Sequence, residues 1–159
     1  GGGKTLAVAA WMKQPIFAFD SAGERMRDLP NRAARAQAEV VLLDQPPIAD
    51  GPAQRLVFCD MPCSGSGVWR RDPSGKWTLT AARLRDLQNL QSEILAQASS
   101  LVAAGGLLLY ATCSVLKREN SDQIDSFTAE NPSWSCRESK QFLPSNQGDG
   151  FYYAVLKKD

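Results

Sequence analysis

Three apolar runs, each closing on an aspartate, constrain this chain more than any other feature: Pro15-Ile16-Phe17-Ala18-Phe19-Asp20, Glu39-Val40-Val41-Leu42-Leu43-Asp44 and Gln54-Arg55-Leu56-Val57-Phe58-Cys59-Asp60. Short apolar runs separated by helical or loop sequence mark parallel strands joined by crossovers. A fourth run, Leu107-Leu108-Leu109-Tyr110-Ala111-Thr112-Cys113-Ser114, reads as a buried strand of the same kind. Parallel strands end on one edge, and open α/β sheets bind ligands there. The chain is therefore expected to be α/β, with Asp20, Asp44, Asp60 and Cys113 along its binding edge.

The intervening spacing is helical. Leu6 to Met12 follows a glycine-rich opening, and Ser21 to Ala36 reads as a helix that Pro30 either breaks or begins anew. Thr80 is placed to cap a long helix whose inner face is Leu84, Leu87, Leu90, Gln91, Ile94, Leu95, Ala98 and Leu101. Its glutamines and Arg85 are expected to face water, and Gly105-Gly106 to end it. Lys117 to Glu130 reads as a surface helix with Ile124 and Phe127 inward, stopped by Asn131-Pro132. Ser139 to Asp149 reads as a flexible loop, and Gly150 to Leu156 as a terminal strand.

A chain of 159 residues fits one domain, taken as 1–159. With 43% hydrophobic and 22% charged residues and a net charge of +1, it has no overall electropositive field to attract nucleic acid, so any such binding must be local. The absence of histidine excludes His-based triads and His-containing zinc sites. Cys59, Cys63, Cys113 and Cys136 contain no Cys-x-x-Cys pair and do not resemble a secreted disulfide framework. With no long apolar span, these features describe a reduced, cytoplasmic protein without a metal and without a membrane segment.

Gly1-Gly2-Gly3-Lys4-Thr5 runs straight into a helix, an arrangement whose backbone N–H groups meet an anion or a cofactor. Two readings stand open: the end of a Walker A loop, with Leu56 to Asp60 as a Walker B-like strand, or a glycine turn that binds S-adenosylmethionine (SAM). Asp20 suits ribose hydroxyls, or serves as a helix cap. Asp60-Met61-Pro62-Cys63-Ser64-Gly65-Ser66-Gly67 carries a strand-end acid into a tight small-residue loop. Cys63 and Cys113 thus arrive at one crevice from distant parts of the chain. A thiolate attacks carbon as well as sulfur, and Lys4 or Arg70 nearby could favour its formation; alternatively each cysteine is inert packing.

These motifs in this order resemble the Nop/Sun family of SAM-dependent RNA cytosine-5 methyltransferases, most closely its bacterial ribosomal RNA members. The resemblance rests on Asp60-x-Pro62-Cys63-Ser64-Gly65-Ser66-Gly67 with Arg70-Arg71-Asp72-Pro73, on Tyr110-Ala111-Thr112-Cys113-Ser114-Val115-Leu116 followed by Glu119-Asn120, on Gly2-Gly3-Lys4-Thr5, and on Asp149-Gly150-Phe151-Tyr152-Tyr153. It covers essentially the whole chain. It implies a Rossmann-like class I methyltransferase sheet, mostly parallel with an antiparallel terminal strand. It further implies that Cys113 adds to C6 of a flipped-out cytosine, Asp60 holds its N3 edge and borders SAM, and Cys63 assists release. Gly2, Gly3 and Lys4 would border SAM, Asp20 its ribose and Asp44 its adenine. Arg70, Arg71 and Lys76 would meet the phosphates of RNA, ribosomal RNA by analogy with those members. The family's Asp-x-Cys-Ala-Ala-Pro-Gly does not precede the glycine turn here. The chain is accordingly expected to open inside its domain, with the first strand and an upstream RNA-binding region outside it, and to bind SAM weakly by itself. A P-loop NTPase and a non-catalytic RNA-binding protein of methyltransferase-like fold are the rival readings. The target nucleotide and the oligomeric state are not written in the sequence.

Overall fold

The computed structural model of the chain describes residues 2–159, so Gly1 of the opening glycine run lies outside the described residues. Where the sequence reads as one domain, the chain divides into two compact units, Gly1–Ile48 and Ala49–Asp159.

In the first unit, helix α1 (Gly3–Met12) leads through a short turn into strand β1 (Ile16–Ala18). A 3-10 turn at Gly23–Met26, helix α2 (Leu29–Arg35) and strand β2 (Val40–Leu42) come next. The expected helix over 21–36 is therefore split. Pro30 lies in the first turn of α2, where the N–H it lacks would have had no helical acceptor. Strands β1 and β2 pair in parallel, from Ile16 opposite Val40 to Ala18 opposite Leu42. Ala18, Met26 and Leu29 form the small core, with Leu6 and Val40 against it. Gly2 caps α1 with a left-handed φ of 78°, and a Cβ there would sit 2.7 Å from Leu29 Cδ1. Only glycine meets both conditions.

The second unit is a four-stranded sheet with helices on it. Its strands are β3 (Gln54–Asp60), β4 (Val102–Thr112), β5 (Trp134–Phe142) and β6 (Phe151–Lys158), in the spatial order β3-β4-β6-β5. β3 and β4 are parallel, and β6 is antiparallel to both β4 and β5. Three strands thus point one way and only the last runs against them, as the sequence predicts. Its helices are the short α3 (Ser74–Thr78), α4 (Ala81–Ser100) and α5 (Ser121–Glu130).

Alternation along β6 buries Tyr152, Ala154 and Leu156, which join Leu108 and Tyr110 of β4. Leu95 and Ala98 of α4, Ile124 and Phe127 of α5, and Trp134 complete this core. Each large side chain buried there contributes about 1.5–3 kcal/mol. Thr80 caps α4 as its position predicts, its Oγ1 accepting the Arg83 N–H at 3.1 Å. The buried face of α4 is Leu87, Gln91, Leu95 and Ala98, while Leu90 is 42% exposed.

Two expectations need correction. Gly105-Gly106 does not end α4, which stops at Ser100 with the Leu101 N–H bonded to Ala98 O at 3.1 Å. The glycines lie inside β4, where Gln54 faces Val102 but Leu56 faces Leu107, so β4 carries extra residues through a bulge. Gly105 turns there at φ 73°, and a Cβ on Gly106 would meet Val102 Cγ1 at 2.8 Å. The loop expected over Ser139 to Asp149 starts later: Ser139 to Phe142 belong to β5, which pairs with β6 as far as Phe142 opposite Phe151, and 143–149 lie between the two strands. β5 is an edge strand, and past Trp134 and Ser135 its residues are exposed. Arg137, Glu138 and Lys140 hide it from an apolar-run search and discourage pairing with another chain.

The faces of α4 are separable by mutation. Leu95→Ala should lower unfolding free energy by about 2–5 kcal/mol, and Leu90→Ala by less than about 1 kcal/mol, in urea titrations followed by circular dichroism.

Candidate active site

Parallel pairing of β3 with β4 sets the site. Asp60 lies opposite Ala111, so the loops that leave the two strands start side by side. The Met61 N–H bonds Ala111 O at 2.9 Å, and the Gly67 N–H bonds Cys113 O at 2.9 Å. Between these two rungs the loops bring Cys63 Sγ to 3.3 Å from Cys113 Sγ, across 50 residues of sequence. Both sulfurs are half-buried, and Asp60 is exposed at the end of β3.

Each cysteine precedes a serine, and both serines turn to one side chain. Ser64 Oγ donates to Glu119 Oε2 at 2.5 Å and Ser114 Oγ donates to the same oxygen at 2.6 Å. The Ser64 N–H donates to Glu119 Oε1 at 2.8 Å. Gln91 Nε2 reaches Oε1 at 3.1 Å and Pro62 O at 2.8 Å. Glu119 and Gln91 have no exposed surface. The next residue, Asn120, accepts from Thr112 Oγ1 at 2.7 Å and donates to Ser114 O at 2.9 Å. Gln91 thus departs from the expectation that the glutamines of α4 face water. Periodicity puts it on the buried face, and the hydrogen bonds to Pro62 and Glu119 are what make that burial tolerable.

The hydrogen bond to Cys113, with burial behind it, pushes the Cys63 thiol well above its ordinary value. Across the 3.3 Å contact either sulfur can donate to the other. Burial pushes Cys59, within β3, up to about 12. A cavity of about 410 Å³ opens beside Cys63 and Ser64, walled by Gly75, Thr78 and Leu79 and by Arg83 and Leu87 of α4.

In the first unit, Asp20 and Asp44 stand two residues beyond the last register pair of neighbouring parallel strands, Ala18 and Leu42. Asp20 Oδ1 accepts the Ala22 N–H at 2.8 Å. Gly2 and Gly3 open α1, whose first turn holds no acid, and Lys4 is exposed in that turn. A left-handed glycine before a helix N-terminus, with acids at two strand ends, suits a ligand that carries an anionic group and hydroxyls.

A family model described as 16S rRNA methyltransferase RsmB/F matches residues 1–157. The chain belongs to this family. Two curated relatives, both ribosomal RNA small subunit methyltransferase B, are similar over 99% of the chain: the Pasteurella multocida protein at 36% identity and the Sodalis glossinidius protein at 37%. The chain spans 40% of the length of each. The crystal structure of PH0851 superimposes on 98% of the chain, and on 40% of its own, with a TM-score of 0.91 at 30% identity. NSun6 from Pyrococcus horikoshii with SFG covers 99% of the chain, and 45% of its own, at a TM-score of 0.85; at 22% identity it speaks for the fold. The fold is the Rossmann-like one of SAM-dependent methyltransferases. Membership in the RsmB/F family speaks against the protein's being a P-loop NTPase.

The basic stretch of this RsmB/F chain is partly committed internally. Arg71 grips Asp149 Oδ2 through Nε and Nη2, both at 2.7 Å, and Arg70 Nη2 lies 3.5 Å from Asp149 Oδ1. Arg70 Nη1 also donates to Ser145 O at 2.8 Å, so both arginines pin the turn before β6. Lys76, on α3, is exposed with its Nζ 5.6 Å from the Trp77 ring centroid. Among the described residues no helix is long and apolar enough to cross a membrane, and no group of three His, Cys, Asp or Glu could hold a metal ion.

Gly67 is where the cysteine loops meet the turn before β6. A Cβ there would lie 2.3 Å from Gly150 O and 2.7 Å from Cys113 O, both backbone atoms. Gly67→Ala should therefore cost about 1–3 kcal/mol or more, read as a lowered thermal midpoint. The thiol of Cys59 gives a pH dependence of known sign. Its ordinary value is 9.0 and its folded value about 12, so between them the folded chain holds a proton that the unfolded chain has lost. Stability should fall as pH rises through that window, and Cys59→Ala should shrink the loss of urea midpoint between about pH 8 and about pH 10.5.

Proposed function

We propose that the protein carrying this chain methylates C5 of a cytosine in small-subunit ribosomal RNA through a covalent adduct on Cys113. The 3.3 Å separation of the Cys63 and Cys113 sulfurs, at the C-terminal ends of adjacent parallel strands, is the observation that carries this reading. A pair of free thiols in such a place has no structural task that one apolar residue could not fill, and its chemistry suits a base that must be attacked and then let go.

The Cys113 thiolate adds to C6 of a flipped-out cytosine, forming a C–S bond and moving the ring electrons toward C5. Asp60 holds the N3 edge, where charge develops as aromaticity is lost. C5 then takes a methyl group. SAM would supply that methyl as an electrophilic sulfonium carbon; Gly2, Gly3 and Lys4 would border it, Asp20 would take its ribose hydroxyls, and Asp44 would lie toward its adenine. Release breaks the C5–H and C6–S bonds. The proton passes to solvent, its electron pair restores the C5–C6 double bond, and the C–S electrons return to Cys113. Cys63, whose Sγ lies 3.3 Å from that of Cys113, donates a hydrogen bond to the departing thiolate. Arg70, Arg71 and Lys76 meet RNA phosphate from their exposed sides.

Ribosomal RNA carrying 5-fluorocytosine at the target keeps its C5 substituent and so should trap the full-length enzyme. A band of protein joined to RNA is expected for the wild type and absent for Cys113→Ala. On ordinary RNA, Cys63→Ala should accumulate the adduct. An adduct that persists in Cys113→Ala would sink the assignment.

A further inference from the structure

The covalent mechanism gives each cysteine its own step but leaves open what holds two loops, 50 residues apart in sequence, at sulfur–sulfur contact. Neither cysteine is anchored by apolar packing alone, since both are only half-buried. The fixed points are the residues next to them, Ser64 and Ser114, and both are fixed on one carboxyl group. Glu119 Oε2 receives the two hydroxyls and Oε1 receives the Ser64 N–H, while Tyr110 Oη donates to the Glu119 backbone carbonyl at 2.6 Å. The side chain and the main chain of Glu119 are thus both tied down, and burial excludes water as a substitute partner.

We infer that Glu119 is a positioning residue that holds Cys63 within reach of the Cys113 sulfur, and that the release step depends on it more than the attack does. The inference rests on the two-cysteine reading of the site. Attack needs Cys113, the base and the Asp60 carboxyl at its N3 edge, and gains less from Cys63. Release needs the Cys63 S–H aimed at a sulfur as it leaves, and that depends on the relative placement of the loops.

Donor and acceptor counting shows how closely the site is specified. Ser114 Oγ already accepts the Leu116 N–H at 3.0 Å. Ser66 Oγ, which accepts the Val115 N–H at 2.9 Å, lies 2.9 Å from Ser114 Oγ and can donate to it. With both lone pairs taken, Ser114 must donate its own proton, and Glu119 Oε2 is the acceptor. In Glu119→Gln the Ser64 N–H, which cannot turn round, keeps the amide oxygen at the Oε1 position. The amide NH2 then faces a Ser114 hydroxyl that has no lone pair to give. Donor meets donor, and the loop carrying Cys113 must shift against the one carrying Cys63.

The test uses the full-length enzyme and ordinary ribosomal RNA, comparing methyl transfer in the first turnover with steady-state turnover, per folded molecule by circular dichroism. For Glu119→Gln the first turnover should survive within about threefold while steady-state turnover falls about tenfold to a hundredfold, a range set by what small misplacements cost. Covalent protein–RNA adduct should build up as it does in Cys63→Ala, with KM for RNA unchanged. Glu119→Asp, which keeps the acceptor oxygens, should recover part of the turnover. Should Glu119→Gln fail to fold, Ser64→Ala removes a single Oε2 donor and should show the same split in weaker form. First-turnover and steady-state rates falling together, or turnover unchanged, would overturn the inference. Accumulation of adduct in Cys63→Ala but in neither Glu119→Gln nor Ser64→Ala would overturn it while leaving the two-cysteine reading intact; no adduct in Cys63→Ala would overturn that reading itself.

Discussion

A carboxyl group with no exposed surface joins two loops that the chain keeps far apart. Glu119 reaches Ser64 across 55 residues and Gln91 across 28, so the loop after β3, the middle of α4 and the loop after β4 meet on two oxygen atoms. A buried polar group is costly unless its partners are complete. Here they comprise an N–H, two hydroxyls and an amide, and no lysine or arginine forms an ion pair with it among the described residues. Hydrogen bonds are directional where an ion pair is not, so the arrangement fixes the orientation of the loops as well as their separation. Gln91 adds to this. Its Nε2 faces two acceptors, which leaves its amide only one way round, and its Oε1 without a partner is the cost.

Apolar patterning made the strands legible. β1, β2 and β3 each lie within an apolar run, the second half of β4 falls in another, and β6 shows the alternation of a half-buried strand. The parallel strands then imply the shared edge, so Cys63 and Cys113 could be placed together before any coordinates. The features that patterning missed have physical reasons. β5 holds Trp134 in the core and exposes most of its remaining residues, and a strand anchored at one end has no period to detect. Gly105-Gly106 carries the local signal of a helix stop, but the same two residues serve a bulge, and only the β3 register distinguishes the uses. Gln91 misleads in the opposite sense: its spacing places it inward, its polarity outward, and the partner that settles the matter lies 28 residues downstream.

The arginines show a similar limit. Arg70, Arg71 and Lys76 form a basic cluster by sequence, and a basic cluster on a protein of net charge +1 invites a polyanion. In the structure Asp149 takes both guanidinium groups, from 78 residues away in the case of Arg71, and the pairing closes the turn between β5 and β6 over the loop that carries Gly67. Gly150, next to Asp149, donates its N–H to Gly67 O at 2.8 Å, so ion pairs and backbone bonds act on the same spot. The side chains of Arg70 and Arg71 remain 55% and 67% exposed, which leaves room for phosphate on their outer faces. Such exposed pairs are individually weak, so the geometry owes more to the backbone bonds and the two glycines than to charge.

Placing two thiols in contact creates a conflict for the proposed chemistry. Partial burial disfavours a thiolate on either sulfur, yet a nucleophile needs one. A neighbouring thiol that retains its proton offers what burial removes, a donor aimed at the charged sulfur. The hydrogen bond to Cys113, and burial after it, push the Cys63 thiol up, which suits it to that role in the proposed mechanism. In the proposed mechanism the same contact would serve in both directions: it would stabilise the sulfur before attack, and again when the bond to carbon breaks. Such a contact lowers the intrinsic reactivity of the thiolate while raising its population, and the balance favours the step in which sulfur leaves. Partnership with a second cysteine therefore gains most where release, rather than attack, limits turnover.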